Sequence, residues 1–405
     1  MPLPTYPFEG REHLLEVSPT EQPLGGARTH SIARGSRQPS APDTQSVQSP
    51  RVPIMKAPPA GRGAVEQVVA ELWREVLGVH SIRPDDHFID VGGSSLIALQ
   101  LRTRLKERLG VALPVHALVE NPRFAQLLDA VWAAHTASQT SPEAPAAPQG
   151  HLRVCLQAGD ADIPPLYLVQ PIGGTVYTYM SLVRQLGPQQ PVYAFRASGI
   201  EPGEPIHSDV PTIAAHNLAE LLERQPQGPF QLGGHSSGGA VAYEMARQLV
   251  QRGLEVSSVV LLDTPPLPLS QLQVHQPEDL LRLVDPFRER APAAWEGFAT
   301  AVAKDSPFRE LLLVHAHALA AYSPKRSQLP LVYLRARERN EVLERHAERW
   351  WMEHTDGAFS MHNVSGNHFT MMEPPHVAAV ARLVRQNLLG GRERPYLPSE
   401  GARDR

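Results

Sequence analysis

Between residues 151 and 391, seven short apolar runs (LRVCL, PLYLVQ, PVYAF, FQLGG, VSSVVLLD, PLVYLRA and FSMHNVSG) alternate with stretches whose apolar residues recur at helical spacing. Short runs of this kind read as strands, and strands that alternate with helices favour a largely parallel sheet covered by helices. Segments 179–186, 213–224 and 239–251, with the closing HVAAVARLVRQNLL, supply the covering helices. From about 265 to 323 the alternation stops, and only amphipathic stretches such as DLLRLV, WEGFATAVA and RELLLVHAHALAAY remain. An inserted helical lid is expected there.

Upstream, residues 61–135 follow a different rule. Val65, Val68, Val69, Leu72, Val76 and Leu77 form one helical stripe, and Leu96, Leu99, Leu101, Leu105 and Leu109 form a second. The second ends at Gly110 behind Lys106 and Arg108, where a C-terminal glycine and cations belong. A third helix is expected from Asn121 as N-cap, with Pro122 in its first position ahead of Phe124, Leu127 and Leu128. These three stripes predict a small all-α bundle. Much of the chain's forty prolines, with Ser, Gln and Thr, fall outside the two units. Such sequence buries too little apolar surface to offset ordering entropy, so 17–60 and 136–150 read as linkers and 392–405 as a flexible tail. No fixed-period repeat is visible.

A net charge of −4 offers no basic footprint to a nucleic acid. One cysteine, Cys155, excludes an internal disulfide framework and suits a reducing compartment. No apolar run is long enough for a bilayer, and MPLPTYPFEGREH lacks a secretory pattern, so a cytoplasmic location is expected. His315 and His317 sit two residues apart and do not share a helix face, so no metal site is expected. Cys155 lies in an apolar run and reads as a small hydrophobe, and Met371-Met372 as core packing.

The chemistry concentrates in FQLGGHSSGGAVAYEMA, where residues 234–238 fit the pattern G-x-S-x-G. Chance yields that pattern in roughly one chain of this length in seven, so its context has to decide. Here the serine falls at the turn between a predicted strand and helix, where a strained backbone exposes Ser236 Oγ for attack. A serine hydroxyl needs a base held in one tautomer by a carboxylate. Asp263 at the end of VSSVVLLD and His368 in VSGNHFTMM supply these, in the nucleophile, acid, base order of α/β hydrolases. Glu338, after PLVYLRA, is the alternative acid, and His354 and His362 are weaker alternatives to His368. An oxyanion would need two main-chain donors, expected from the Ser237 N–H and the Ile172 N–H, with Gly173 and Gly174 permitting the turn.

In the first unit, DVGGSSLIALQL places Ser94 and Ser95 at the start of the second helix, either as an N-cap or as the attachment point of a phosphate. With DDHFIDVGGSSLIAL and LPVHALVENPRFAQL, the unit resembles acyl and peptidyl carrier domains. That resemblance implies an all-α four-helix carrier bundle with a 4'-phosphopantetheine arm on Ser95 rather than Ser94, installed by a phosphopantetheinyl transferase. QPIGG, GGHSSGG, LLDTPP and GNHFTMM make unit 151–391 resemble the type I thioesterase domains that end polyketide synthases and nonribosomal peptide synthetases. This implies an α/β hydrolase fold and favours Asp263 over Glu338. Gln170 departs from the family, in which many members have His before Pro-Ile-Gly-Gly; since the oxyanion donor is main-chain, little should change. Residues 1–16, with LPTYPFEGREHLL, resemble the tail after polyketide acyltransferase domains, although Gly10 and Leu14-Leu15 depart from it. Together the resemblances imply a terminal module, fed by upstream modules, that passes an acyl or peptidyl thioester to Ser236 for hydrolysis or macrocyclisation. A non-catalytic carrier and docking module, and an editing hydrolase that clears stalled acyl groups, are the rival readings.

Overall fold

The computed structural model describes residues 61–93, 95–140, 151–266, 274–304, 306, 308–338 and 347–388. The expected tails at 1–16 and 392–405, the linker at 17–60 and Ser94 lie outside the described residues. Among those described, no helix is long and apolar enough to cross a membrane.

The first unit comprises α1 (Arg62–Leu77), α2 (Ser95–Leu109), α3 (Ala117–Glu120) and α4 (Phe124–Thr140). Val65, Val69 and Leu72 of the first stripe, with Trp73 beside them, are fully or almost fully buried in one core with Leu101, Leu105, Leu127 and Val131. Trp73 meets Phe88 and Phe124 edge-on, at centroid distances of 5.6 and 5.4 Å. Gly110 closes α2 as expected, with φ 68° and its N–H donating to Lys106 O. The start of α4 departs from expectation. Asn121 caps the C-terminus of α3 through its N–H and Nδ2, both donating to Ala117 O. Pro122 O accepts from Phe88 N, and Phe124 and Ala125 N–H groups donate to Asp86 and Pro84, so the chain is tied to the preceding loop until Phe124. At its other end α4 runs to Thr140, past the expected boundary at 135.

All seven apolar runs of the second unit are strands: β1 (Arg153–Gln157), β2 (Leu166–Val169), β3 (Val192–Phe195), β4 (Phe230–His235), β5 (Val256–Leu262), β6 (Leu331–Glu338) and β7 (Phe359–Asn367). They form one sheet in the order β1-β3-β2-β4-β5-β6-β7, parallel except for β1, which pairs antiparallel with β3 at the edge. That edge corrects the reading of Cys155: it lies in a strand, but on the outer, exposed side. Successive residues point to opposite faces. Leu168, Val260 and Leu334 pack with α5 (Met180–Leu186) and the last helix, α12 (Val377–Asn387). Tyr167, Val169, Val259, Leu261 and Tyr333 pack with α6 (Val210–Arg224), α7 (Ser237–Gln251) and Trp351 of α11 (Ala347–Glu353). α6 begins three residues before its expected start because Asp209 accepts the Thr212 N–H and Pro211 occupies the first turn. Between β5 and β6 the described chain is helical, with α8 (Leu281–Val284), α9 (Pro292–Val302) and α10 (Arg309–Ala321). The strand order reverses at β2, between β3 and β4, which opens a crevice at the C-terminal strand ends.

Candidate active site

Four strand ends converge on that crevice. Ser236 stands between β4 and α7 as the helix N-cap residue, with φ 55° and ψ −129° and its N–H donating to Leu262 O. Ser236 and Asp263 are the two non-glycine residues with positive φ among those described, so the backbone strain of this unit sits at the expected nucleophile and acid. The turn is tight enough to need its glycines: a Cβ on Gly234 would lie 2.2 Å from the Gly238 carbonyl carbon, and one on Gly238 2.2 Å from Val169 O. α7 therefore starts in direct contact with β4 and β2.

His368, just past β7, joins the pieces. Its Nε2 lies 3.0 Å from Ser236 Oγ and its Nδ1 2.8 Å from Asp263 Oδ2. Asp263 is fully buried, and its other oxygen accepts the Ala336 N–H at 2.9 Å. Burial alone would raise its pKa, but the bond to His368 and the Ala336 N–H outweigh this and hold the carboxyl below its usual range. An ionised Asp263 only accepts, which places the imidazole proton on Nδ1 and turns the Nε2 lone pair toward the serine hydroxyl. The alternatives lie apart: Glu338 is exposed at the end of β6, His354 stacks on Trp350 and binds its carbonyl, and His362 is paired in register with Leu334 along β7.

Ile172 and Ser237 border the same chamber as Ser236 and His368. Ser237 is the first residue of α7, where an N–H has no intrahelical acceptor. Ile172 lies in a turn closed by Gly174 N–H to Pro171 O. Only the second glycine is required there: Gly174 has φ 77° and its Cβ would meet Leu311 at 2.9 Å, whereas a Cβ on Gly173 would meet nothing within 4 Å. Gln170 is buried beside them. Met371 and Met372 are buried, as read from the sequence.

One participant escaped the sequence reading. His235 is buried, and its Nε2 lies 2.7 Å from the His368 carbonyl oxygen, which fixes the proton on that nitrogen. Its own N–H donates to the Tyr179 hydroxyl, which in turn donates to Val169 O. Burial, reinforced by the neighbouring His368, lowers the His235 pKa to about 3 and keeps the ring neutral. The G-x-S-x-G pattern leaves this position open, and a partner that is a backbone carbonyl has no sequence signature. His315 is buried, while His317 Nε2 bonds Val274 O; among the described residues no three metal-ligating side chains converge.

The chamber holds about 1030 Å³. Leu283, Phe298, Phe308 and Leu312 line it from the helical insertion, and Gly92, Gly93 and Leu99 from the first unit. Ser95 opens α2 beside those glycines. Gly92 has φ 99°, and a Cβ on Gly93 would lie 2.4 Å from the Phe88 ring. Gly92 and Gly93 thus bring bare backbone to the chamber wall ahead of the helix start, Gly93 because Phe88 occupies the space of a Cβ, and such a lining fits a phosphopantetheine arm.

A thioesterase domain family model matches residues 164–388, and a phosphopantetheine attachment site model matches residues 67–131. The chain is 35% identical over 217 residues to a dimodular nonribosomal peptide synthase of Bacillus subtilis, covering 53% of this chain and 9% of that protein. It is 28% identical over 338 residues to malpibaldin synthetase of Mortierella alpina, covering 80% of this chain and 6% of that one. The chain thus spans under a tenth of each of these relatives. The crystal structure of a holo four-domain nonribosomal peptide synthetase bound to AMP and glycine matches with TM-score 0.52 and 25% identity, covering 85% of this chain and 27% of that one. These relatives are peptide synthetases. The polyketide expectation rested on residues 1–16, outside the described residues, and gains no support from them.

Proposed function

The chain belongs to the thioesterase family, whose model covers more than half of it, and from this premise we propose that it releases an acyl or peptidyl chain delivered by its own carrier unit. One observation carries the reading: His368 bridges Ser236 and Asp263 at 3.0 and 2.8 Å on the wall of a chamber that residues of both units line. The phosphopantetheine arm, attached at Ser95, supplies the thiol that presents the cargo as a thioester. His368 Nε2 takes the Ser236 proton as Oγ attacks the thioester carbonyl. Asp263 holds the imidazole in the productive tautomer and stabilises the imidazolium. The Ile172 and Ser237 N–H groups stabilise the oxyanion. The tetrahedral adduct collapses, the C–S bond breaks, and the proton on His368 passes to the departing sulfur. His368 then activates water, giving an acid, or a nucleophile within the cargo, giving a ring. The helical insertion at 265–323 forms the lid of the acyl pocket. In this reading the carrier unit is 61–135, the releasing unit 151–391, and the upstream partners are the modules of a peptide synthetase.

The test uses the full chain, converted to its phosphopantetheinylated form, loaded with a labelled acyl group and followed by intact-protein mass spectrometry. The parent should lose its label through an ester on Ser236. Ser236→Ala should keep the label on the carrier, and Ser95→Ala should never load. Equal loss of label from parent and Ser236→Ala would refute a serine-dependent release.

A further inference from the structure

The carrier and releasing units touch through contacts that the chemistry at Ser236 does not use, and these converge on one residue. The Val115 N–H donates to Glu201 Oε1 at 2.5 Å, and its carbonyl accepts from the Tyr177 hydroxyl. Both faces of a single carrier peptide position are therefore held by side chains of the releasing unit. The other Glu201 oxygen takes Arg102 Nη2 of α2 at 2.6 Å, in a pair whose side chains are 24% and 14% exposed. Arg102 is aimed from within the carrier, because its Nε donates to Leu113 O at 2.6 Å.

Glu201 is prepared in the same way. Arg196, buried at 1% exposure, grips Glu204 through both guanidinium nitrogens at 2.7 and 2.5 Å. Glu204 Oε2 also accepts the Gly199 and Glu201 N–H groups, which fixes the loop that displays Glu201. The same loop reaches the oxyanion turn, since the Ala197 N–H donates to Gly174 O. Tyr177 lies three residues beyond Gly174 in the chain. A peripheral pair, Arg184 with Asp90, joins α5 to the loop ahead of Ser95.

Resting on the release reading above, we infer that Glu201 and Tyr177 form a carrier clamp that selects the partner of the releasing unit. The backbone of the turn at Val115 is read by shape, and a cation at position 102 is read by charge. The clamp holds the carrier with Gly92 and Gly93 lining the chamber that Ser236 also lines. A carrier lacking the cation leaves Glu201 desolvated without its partner, the costly half of a broken pair.

The test measures two rates in the full chain: transfer of a labelled acyl group from the loaded carrier to Ser236, and hydrolysis of a small soluble thioester of the same acid, which needs no docking. Glu201→Arg should slow transfer about tenfold, the effect of losing one charge-assisted hydrogen-bond pair, and leave the soluble thioester rate unchanged. Adding Arg102→Glu to that variant should recover only part of the transfer rate, because it restores the charge pair while an arginine side chain cannot accept the Val115 N–H. Tyr177→Phe should slow transfer with the same selectivity. An unchanged transfer rate in Glu201→Arg would overturn the proposal. So would a parallel fall in both rates, since Glu201 would then support the pocket rather than the docking. A parent protein that cleaves neither substrate would instead refute the release reading, and the clamp with it.

Discussion

In the proposed reaction His368 is the base, which works only while its ring stays where both neighbours can reach it, and the His368 backbone is restrained as well as the ring. His235 supplies that restraint through its bond to the His368 carbonyl. Replacing it by Phe removes the donor and leaves the carbonyl unsatisfied, so kcat should fall about tenfold with KM nearly unchanged. His235→Gln keeps an N–H and should recover part of the loss. Equal kcat in parent and His235→Phe, measured on a soluble thioester, would exclude the role. At this scale the sequence was legible where side chain meets side chain: Ser236, Asp263 and His368 are the residues that meet. The choice between Asp263 and Glu338 needed the path of the chain, because both end strands and only one returns toward the imidazole. His235 and Glu201 were invisible, since one meets a backbone carbonyl and the other a backbone N–H and an arginine 99 residues away in the chain.

Among elements, the sharpest constraint is the contact of α7 with β2 and β4. A Cβ on Gly238 would overlap the Val169 carbonyl, a backbone atom that cannot swing aside. Gly238→Ala should therefore lower stability by about 1–3 kcal/mol, read as a drop in the urea midpoint, and should displace the Ser237 N–H, the proposed oxyanion donor. Gly173→Ala, whose Cβ meets nothing within 4 Å, should leave the midpoint nearly unchanged. Similar midpoints for the two variants would show that α7 can shift freely. The five inner strands, β2 to β6, were legible because a buried parallel sheet writes near-continuous apolar runs into the chain, whereas the edge strands β1 and β7 carry exposed residues among their apolar ones. The start of α4 was not: Asn121 and Pro122 carry every local sign of a helix start, yet α3 and the loop at 84–88 use their hydrogen-bonding groups first.

For the whole molecule, buried histidines set a pH limit. Burial lowers His315 of α10 to about 4, with His207 adding to the effect, and His235 to about 3. Their folded pKa values lie below the unfolded value near 6.5, so the unfolded chain binds the extra protons. Stability from these groups is complete above about pH 6.5 and is lost as pH falls toward about 4 for His315 and about 3 for His235, by up to about 1.4 kcal/mol per pH unit for each. Urea unfolding at pH 7 and pH 5 should show the decline, and His315→Leu should flatten it. A parent midpoint no lower at pH 5 would mean that neither ring resists protonation.

The groups that meet at Ser236 hang from the ends of β2, β4, β5 and β7, and the bonds that unite them span 105 and 132 residues. No fragment of the sheet owns the reaction. Helices and single strand pairs can form early from neighbouring segments, but turnover waits for the most distant pairing to register. Enzymatic competence is accordingly a milestone of completed assembly, and a chain with normal helix content but one misaligned strand would look native and do nothing.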